Sequence, residues 1–275
     1  MLRHCKYLKP LLIAVLVVSG TVFSQRKGGE VTVTRCWQFP AENVIDLATN
    51  GRDIFAATDG GHILAVSSRG EKLWQTDVGG EIASEITVAG EYLIVPPGPR
   101  WLSLKSGLPI AAPRLYDPPL PVISPNATTA STSGREGLVV GNDAGLVTSL
   151  SGSGPVWKFK TGGGISAIIP VGEEFVVISR DDFVYSLYAS NGGLQWKRRL
   201  QGRIGHYALG KGFLFVSSLD QHGASFIDLT NGRVAGQIIL NGEDLVVTDP
   251  AVIDDNFIVA TGEGISAYSL SACAK

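Results

Sequence analysis

Cysteine, histidine, methionine and charge are all scarce in this chain, and each scarcity removes a class of protein. Three cysteines in 275 residues exclude a disulfide-dense scaffold. The four histidines never fall at a metal-ligand spacing such as H-x-x-x-H. There is no block of basic residues, so nucleic acid is excluded as a partner. No serine sits in a G-x-S-x-G setting. The stretch Thr161-Gly162-Gly163-Gly164 precedes no helical pattern, which excludes a phosphate loop. Charged residues make up only 17%, against disorder and against a solvated helical surface.

No apolar run reaches the roughly 20 residues of a comfortable membrane span. The nearest is residues 11–20, behind Arg3, Lys6 and Lys9 and ahead of Val22-Phe23-Ser24, which is small at its last position. That order is the order of a secretory signal, so residues 1–24 are expected to be a cleaved leader and 25–275 the folded domain. An uncleaved N-terminal anchor is the alternative. No cysteine follows the apolar run, which argues against a lipid anchor there. Cleavage would remove three of 23 basic and none of 25 acidic residues, leaving a formal charge of −5. The expected location is exported, periplasmic or extracellular, with no stable membrane span after cleavage.

Glycine, by contrast, is abundant. The 34 glycines lie between short apolar runs and read as turns. The clearest example is residues 182–197. Small and apolar residues alternate over 183–187, as in a strand, Asn191-Gly192 forms a hairpin turn, and a second run ends on Trp196. The arrangement recurs. Trp157 and Trp196 are 39 residues apart, Gly192 and Gly232 are 40 apart, and Trp74 and Trp157 are 83 apart. A unit of about 40 residues with four short strands is a propeller blade. The chain is therefore expected to be an all-β propeller of about six four-stranded blades. Two repeats lack the outer tryptophan, with Gly236 in its place in the fifth. Residues 113–136, rich in Pro, Ser and Thr, break the rhythm, and residues 120–124 are expected to supply the inner strand of the third unit. A seventh, irregular blade within residues 96–136 is the alternative architecture.

The sixth repeat stops before any outer strand, while residues 31–37 form a strand with no repeat of their own. Trp37 falls where the sixth repeat needs its tryptophan. The N-terminal strand is therefore expected to close the last blade, which leaves no open edge there. This closure brings Cys36 and Cys273 into one blade, and a disulfide between them is expected. A loop that long gives about 4–5 kcal/mol in the chain-entropy treatment.

The repeated pattern resembles the quinoprotein-type (PQQ-like) β-propeller repeat, of which BamB-like envelope scaffolds are one branch. It consists of a turn glycine, a strand such as Val184-Tyr185-Ser186-Leu187 or Ile63-Leu64-Ala65-Val66, a second glycine, and a tryptophan three or four residues on. The resemblance implies that Trp37, Trp74, Trp157 and Trp196 dock between neighbouring blades. It also brings pyrroloquinoline quinone (PQQ) as a cofactor by family resemblance only, because the enzymes of the family use it. This chain departs from those enzymes: it has no adjacent cysteine pair and about six blades where eight are implied.

In a propeller, the loops entering the inner strands and the turns joining second to third strands emerge on one face. That face is expected to carry Asp59, Glu81, Arg180, Asp181, Arg203, His206, Asp220, His222, Glu243 and Asp244. Its mixed charge suits a protein or peptide partner, and the bland reading is a wetted rim. His206 and His222 come from one repeat and are weighed as a metal pair against solvated turn histidines. Asp181-Asp182 is weighed as an acid–base pair against a turn cap. No catalytic residue and no metal ligand is assigned. The expected role is a non-enzymatic interaction scaffold, with a PQQ-dependent or other propeller enzyme and a ligand-binding sensor as alternatives.

Overall fold

A computed structural model describes residues 32–82, 85–97, 100–111, 131–134, 137–241, 244–271 and 273. The leader and residues 120–124 lie outside these residues, as does Glu243.

Strand β1 (Thr34–Phe39) starts the described fold. The first sheet is β2 (Val44–Thr49), β3 (Asp53–Thr58), β4 (His62–Ser67) and β5 (Lys72–Asp77). The second is β6 (Thr87–Ala89), β7 (Tyr92–Val95), β8 (Arg100–Ser103) and β9 (Pro109–Ile110). The third is β10 (Ser131–Gly134), β11 (Gly137–Gly141), β12 (Leu146–Ser151) and β13 (Gly154–Lys160). The fourth is β14 (Ile165–Val171), β15 (Glu174–Ser179), β16 (Phe183–Tyr188) and β17 (Leu194–Arg199). The fifth is β18 (Ile204–Gly210), β19 (Phe213–Ser218), β20 (Gly223–Asp228) and β21 (Arg233–Ile239). The sixth holds β22 (Ala251–Ile253), β23 (Asn256–Thr261) and β24 (Gly264–Ser269), and its fourth strand is β1. All pairings within these six sheets are antiparallel, and among the described residues there is no helix.

The expected inner strand of the third sheet is corrected. The strand paired with β11 is Ser131–Gly134, with Ser131 opposite Val140. The expected closure of the sixth sheet stands: β1 pairs with β24, Thr34 opposite Ser269 and Trp37 opposite Ala267. The Sγ atoms of Cys36 and Cys273 lie 2.12 Å apart, at disulfide distance.

Because both faces of a sheet must be buried, the strands read as near-continuous apolar runs. Ile54, Phe55, Ala56 and Ala57 in β3 are all fully buried. Alternate residues face opposite ways, so one strand feeds two cores. Ile54 and Ala56 pack toward the sixth sheet, with Ile258, Ala260 and Ile265. Phe55 and Ala57 pack toward the second, with Leu93, Val95 and Leu102. Further clusters join the fifth and sixth sheets, the third and fourth, and the fourth and fifth. The sheets therefore follow one another in the order second, first, sixth, fifth, fourth, third.

Candidate functional site

A repeated contact fixes neighbouring sheets at their outer turns. Trp74 on β5 donates its indole N–H to the Leu104 carbonyl at 2.8 Å, Trp157 on β13 to Ala189 at 2.9 Å, and Trp196 on β17 to Leu229 at 2.9 Å. Trp37 on β1 does the same to Ser68 at 2.8 Å, which joins the sixth sheet to the first. Each ring lies over a glycine in the receiving turn. A Cβ on Gly70 would meet the Trp37 ring at 2.7 Å, and one on Gly192 would meet Trp157 at 2.5 Å; both glycines have positive φ, +80° and +67°. The residue opposite each tryptophan within its own sheet is small: Ala65, Ser149, Ser186 and Ala267.

Where the tryptophan is missing, the bulk moves one strand inward. In the second sheet Ile110 sits opposite the buried Trp101. In the fifth, Gly236 sits opposite Phe226, which packs edge-on against Phe215 and Phe257 at 5.3 and 5.1 Å.

The candidate polar residues sit at the strand ends, and most are engaged with backbone or with each other. Asp181, in the β15–β16 turn, accepts hydrogen bonds from Gly162 N at 2.7 Å, Tyr185 Oη at 2.6 Å and Phe183 N at 3.2 Å. Burial pushes its pKa up, but the Tyr185, Ser179, Gly162 and Phe183 hydrogen bonds outweigh this and hold it below the usual 3.8. The Tyr185 hydroxyl is pushed up to about 12 by burial and by the neighbouring carboxylate. Asp220 grips Arg203 twice, by the guanidinium at 2.8 Å and by the backbone N–H at 2.7 Å, and this holds the Asp220 pKa down. Asp244 accepts from Gly262 N at 2.7 Å and Leu245 N at 3.0 Å. Each of these carboxylates pins a loop, as a turn cap does.

The two histidines do not pair. His206 Nδ1 lies 3.1 Å from Asp249 Oδ1, and His222 Nδ1 lies 3.1 Å from the Asp244 carbonyl oxygen. Arg180 reaches across to Asp143 at 2.6 Å. Asp59 and Glu81 are exposed. Arg180, Asp182 and Arg203 come together with Ser166, Ile204 and Leu219 around a cleft of about 220 Å³ between the fourth and fifth sheets.

Asp143, Asp249 and Asp46 belong to this polar set and were not foreseen from the sequence. Asp249 also accepts from Tyr207 N at 3.2 Å, which ties the lead-in of β22 to β18. Asp46 on β2 accepts from Ile86 N at 2.7 Å, ahead of β6. Burial raises the Asp46 pKa above 3.8, hydrogen bonds from Ile86 and Leu47 counter it, and the Asp249 charge adds to the rise. The only available signal was an acid at the centre of an otherwise apolar strand, Val-Ile-Asp-Leu-Ala-Thr.

Among the described residues no group of three or more His, Cys, Asp and Glu side chains could hold a metal ion. No helix among those residues is long and apolar enough to cross a membrane.

Six four-stranded antiparallel sheets, packed face to face and pinned by outer-strand tryptophans, define an all-β protein of propeller-like build. Residues 136–272 match the family model described as outer membrane protein assembly factor BamB. This part of the chain belongs to the PQQ-like, BamB-type repeat family. No curated protein matches the chain. Solved structures match in large number, 1396 chains, so the fold alone says little about role. Chaetomium thermophilum Raptor is similar at 10% identity and a TM-score of 0.57, over 85% of this chain and 29% of Raptor. The computationally designed Ika8 protein matches at 12% identity and a TM-score of 0.45, over 86% of this chain and 74% of that one.

Proposed function

We propose that this chain is an exported, non-enzymatic β-propeller of six blades that serves as a protein-interaction scaffold in the cell envelope. The observation that carries the reading is the match of residues 136–272 to the BamB family. The arrangement of the polar face supports it. Loops between the third, fourth and fifth sheets are pinned by Asp143, Asp181 and Asp220, so the face is a set of preordered loops around a shallow cleft. A preordered surface loses little entropy when a partner binds. The partner is a protein or peptide.

The proposed ring closes where the third sheet meets the second, because the other five junctions already share cores. Residues 1–24 are the cleaved leader in this reading, and the disulfide suits an oxidising compartment. No cofactor is required.

Cross-linking in the native envelope followed by mass spectrometry tests the scaffold directly. A recurrent protein partner cross-linked to the Arg180–Arg203 side of the molecule is the expected result. A saturable spectral shift with dye reduction, on adding PQQ and Ca²⁺ to purified protein, would overturn it in favour of an enzyme.

A further inference from the structure

In the first five sheets, the third strand runs into the fourth through a turn. In the sixth, the third strand is β24 and the fourth is β1, which lie at opposite ends of the described chain. At the end of the sheet where the others turn, Cys36 and Cys273 are joined by a disulfide across 237 residues of sequence. The bond stands in for the missing hairpin. The fifth sheet is consistent with this: with no ordinary turn to receive an indole, it carries Gly236 at the tryptophan position.

Without the bond, β1 has no covalent tie to the strand beside it. It is paired on one side, Thr34 through Phe39 against Ile265 through Ser269, Trp37 donates to the Ser68 carbonyl and Gln38 to the Glu263 carbonyl, and Trp37 and Phe39 pack on the core shared with the first sheet. An edge strand is among the parts of a sheet that open locally before the whole fold does. Both cysteines are partly exposed. We propose that the Cys36–Cys273 bond is a redox-sensitive clasp, whose reduction frees β1 from the sixth sheet while the fourth and fifth sheets stay folded.

The chemistry is thiol–disulfide exchange with a dithiol reductant. A thiolate of the reductant attacks one sulfur and forms a mixed disulfide. Its second thiol then displaces the protein thiol. Two electrons and two protons end on the cysteine pair, and the reductant leaves as its own disulfide. The freed β24 edge then offers unpaired N–H and C=O groups to a strand from another chain. This inference needs only the β1–β24 pairing and the bond, and is independent of the scaffold reading.

The test is hydrogen exchange, read by mass spectrometry, on the native full chain with and without dithiothreitol at neutral pH. A gain of about 2 Da reports reduction. The expected result is exchange about tenfold faster or more in β1 and β24, with β15, β16, β19 and β20 unchanged. The Cys36→Ser/Cys273→Ser chain should show the same pattern without reductant. Unchanged β1 exchange in the reduced protein would overturn the proposal, because pairing alone then holds the strand. Acceleration in all sheets together would also overturn it, because the bond is then a global staple. So would a bond that resists the dithiol under native conditions.

Discussion

In the proposed ring, the junction between the sixth and first sheets and that between the third and second are built in opposite ways. The first has a shared core, from Val44, Ile54 and Ala56 to Ile258, Ala260 and Ala267. It also has the Trp37 hydrogen bond, and beside it the disulfide. Between the second and third sheets, no shared hydrophobic cluster is found among the described residues. There β9 is only two residues long, and Ile110 stands where tryptophan would be. The glycines of the receiving turn differ as well. Gly70 lies under a ring, whereas a Cβ on Gly152 would meet nothing within 4 Å. The lesson concerns chain continuity. β1 and β24 come from opposite ends of the described chain with no hairpin between them, and the disulfide ties them where the other sheets have a turn.

The largest expected effect comes from Trp37. Trp37→Ala should destabilise by about 3 kcal/mol, since a partly buried ring and its hydrogen bond are both lost. Ile110→Ala, at the corresponding position of the second sheet, should cost about 1 kcal/mol. Urea melts of the two variants, under non-reducing conditions, measure the difference, and equal losses would erase the contrast.

Next come the turn glycines. Gly70→Ala forces a Cβ into the Trp37 ring at a positive φ and should cost about 1–3 kcal/mol. Gly152→Ala should stay within about 0.5 kcal/mol. Thermal melts of the pair show whether the outer turns are as unequal as their geometry.

The smallest effects are pH-dependent and opposite in sign. The folded pKa of Asp181 is held below 3.8, so its contribution is present above that value and is lost as pH falls through the folded pKa. Asp181→Asn should therefore be less stable than the parent at pH 7, and the gap should close in acid. The folded pKa of Asp46 is raised, so its contribution is present below 3.8 and is lost as pH rises through the folded pKa. Asp46→Asn keeps an oxygen for Ile86 N. At pH 7 it should equal or slightly exceed the parent, with any advantage fading below about pH 4. Denaturant midpoints across pH 3–7 read both signs.

Most strands were legible because period-2 alternation and turn glycines are local signals. The alternating stretch 183–187 folds as a strand, Phe183–Tyr188. The closure was legible because the sixth repeat lacks an outer strand and residues 31–37 supply one. The inner strand of the third sheet was misplaced for a physical reason. Leu-Pro-Val-Ile-Ser carries the apolar bias of a strand, and Ser-Thr-Ser-Gly does not, although the second is the one that pairs. The polar face was legible in residue type but not in partnership. Arg180 with Asp143 and His206 with Asp249 join different sheets, 37 and 43 residues apart, and no spacing rule connects them.

The central claim is that the six sheets form one closed ring, and a distance across the third-to-second junction tests it most directly. Spin labels at Ser106 and Ser153 sit on exposed outer turns of the second and third sheets, and Arg69 with Ser106 and Ser153 with Asn191 are the same turns across junctions that share cores. Pulsed electron paramagnetic resonance should give a narrow Ser106–Ser153 distance that falls with those two reference pairs. A distance longer by about the 10 Å of one packed sheet would contradict six blades in favour of seven, and a broad or much longer distribution would contradict the ring itself.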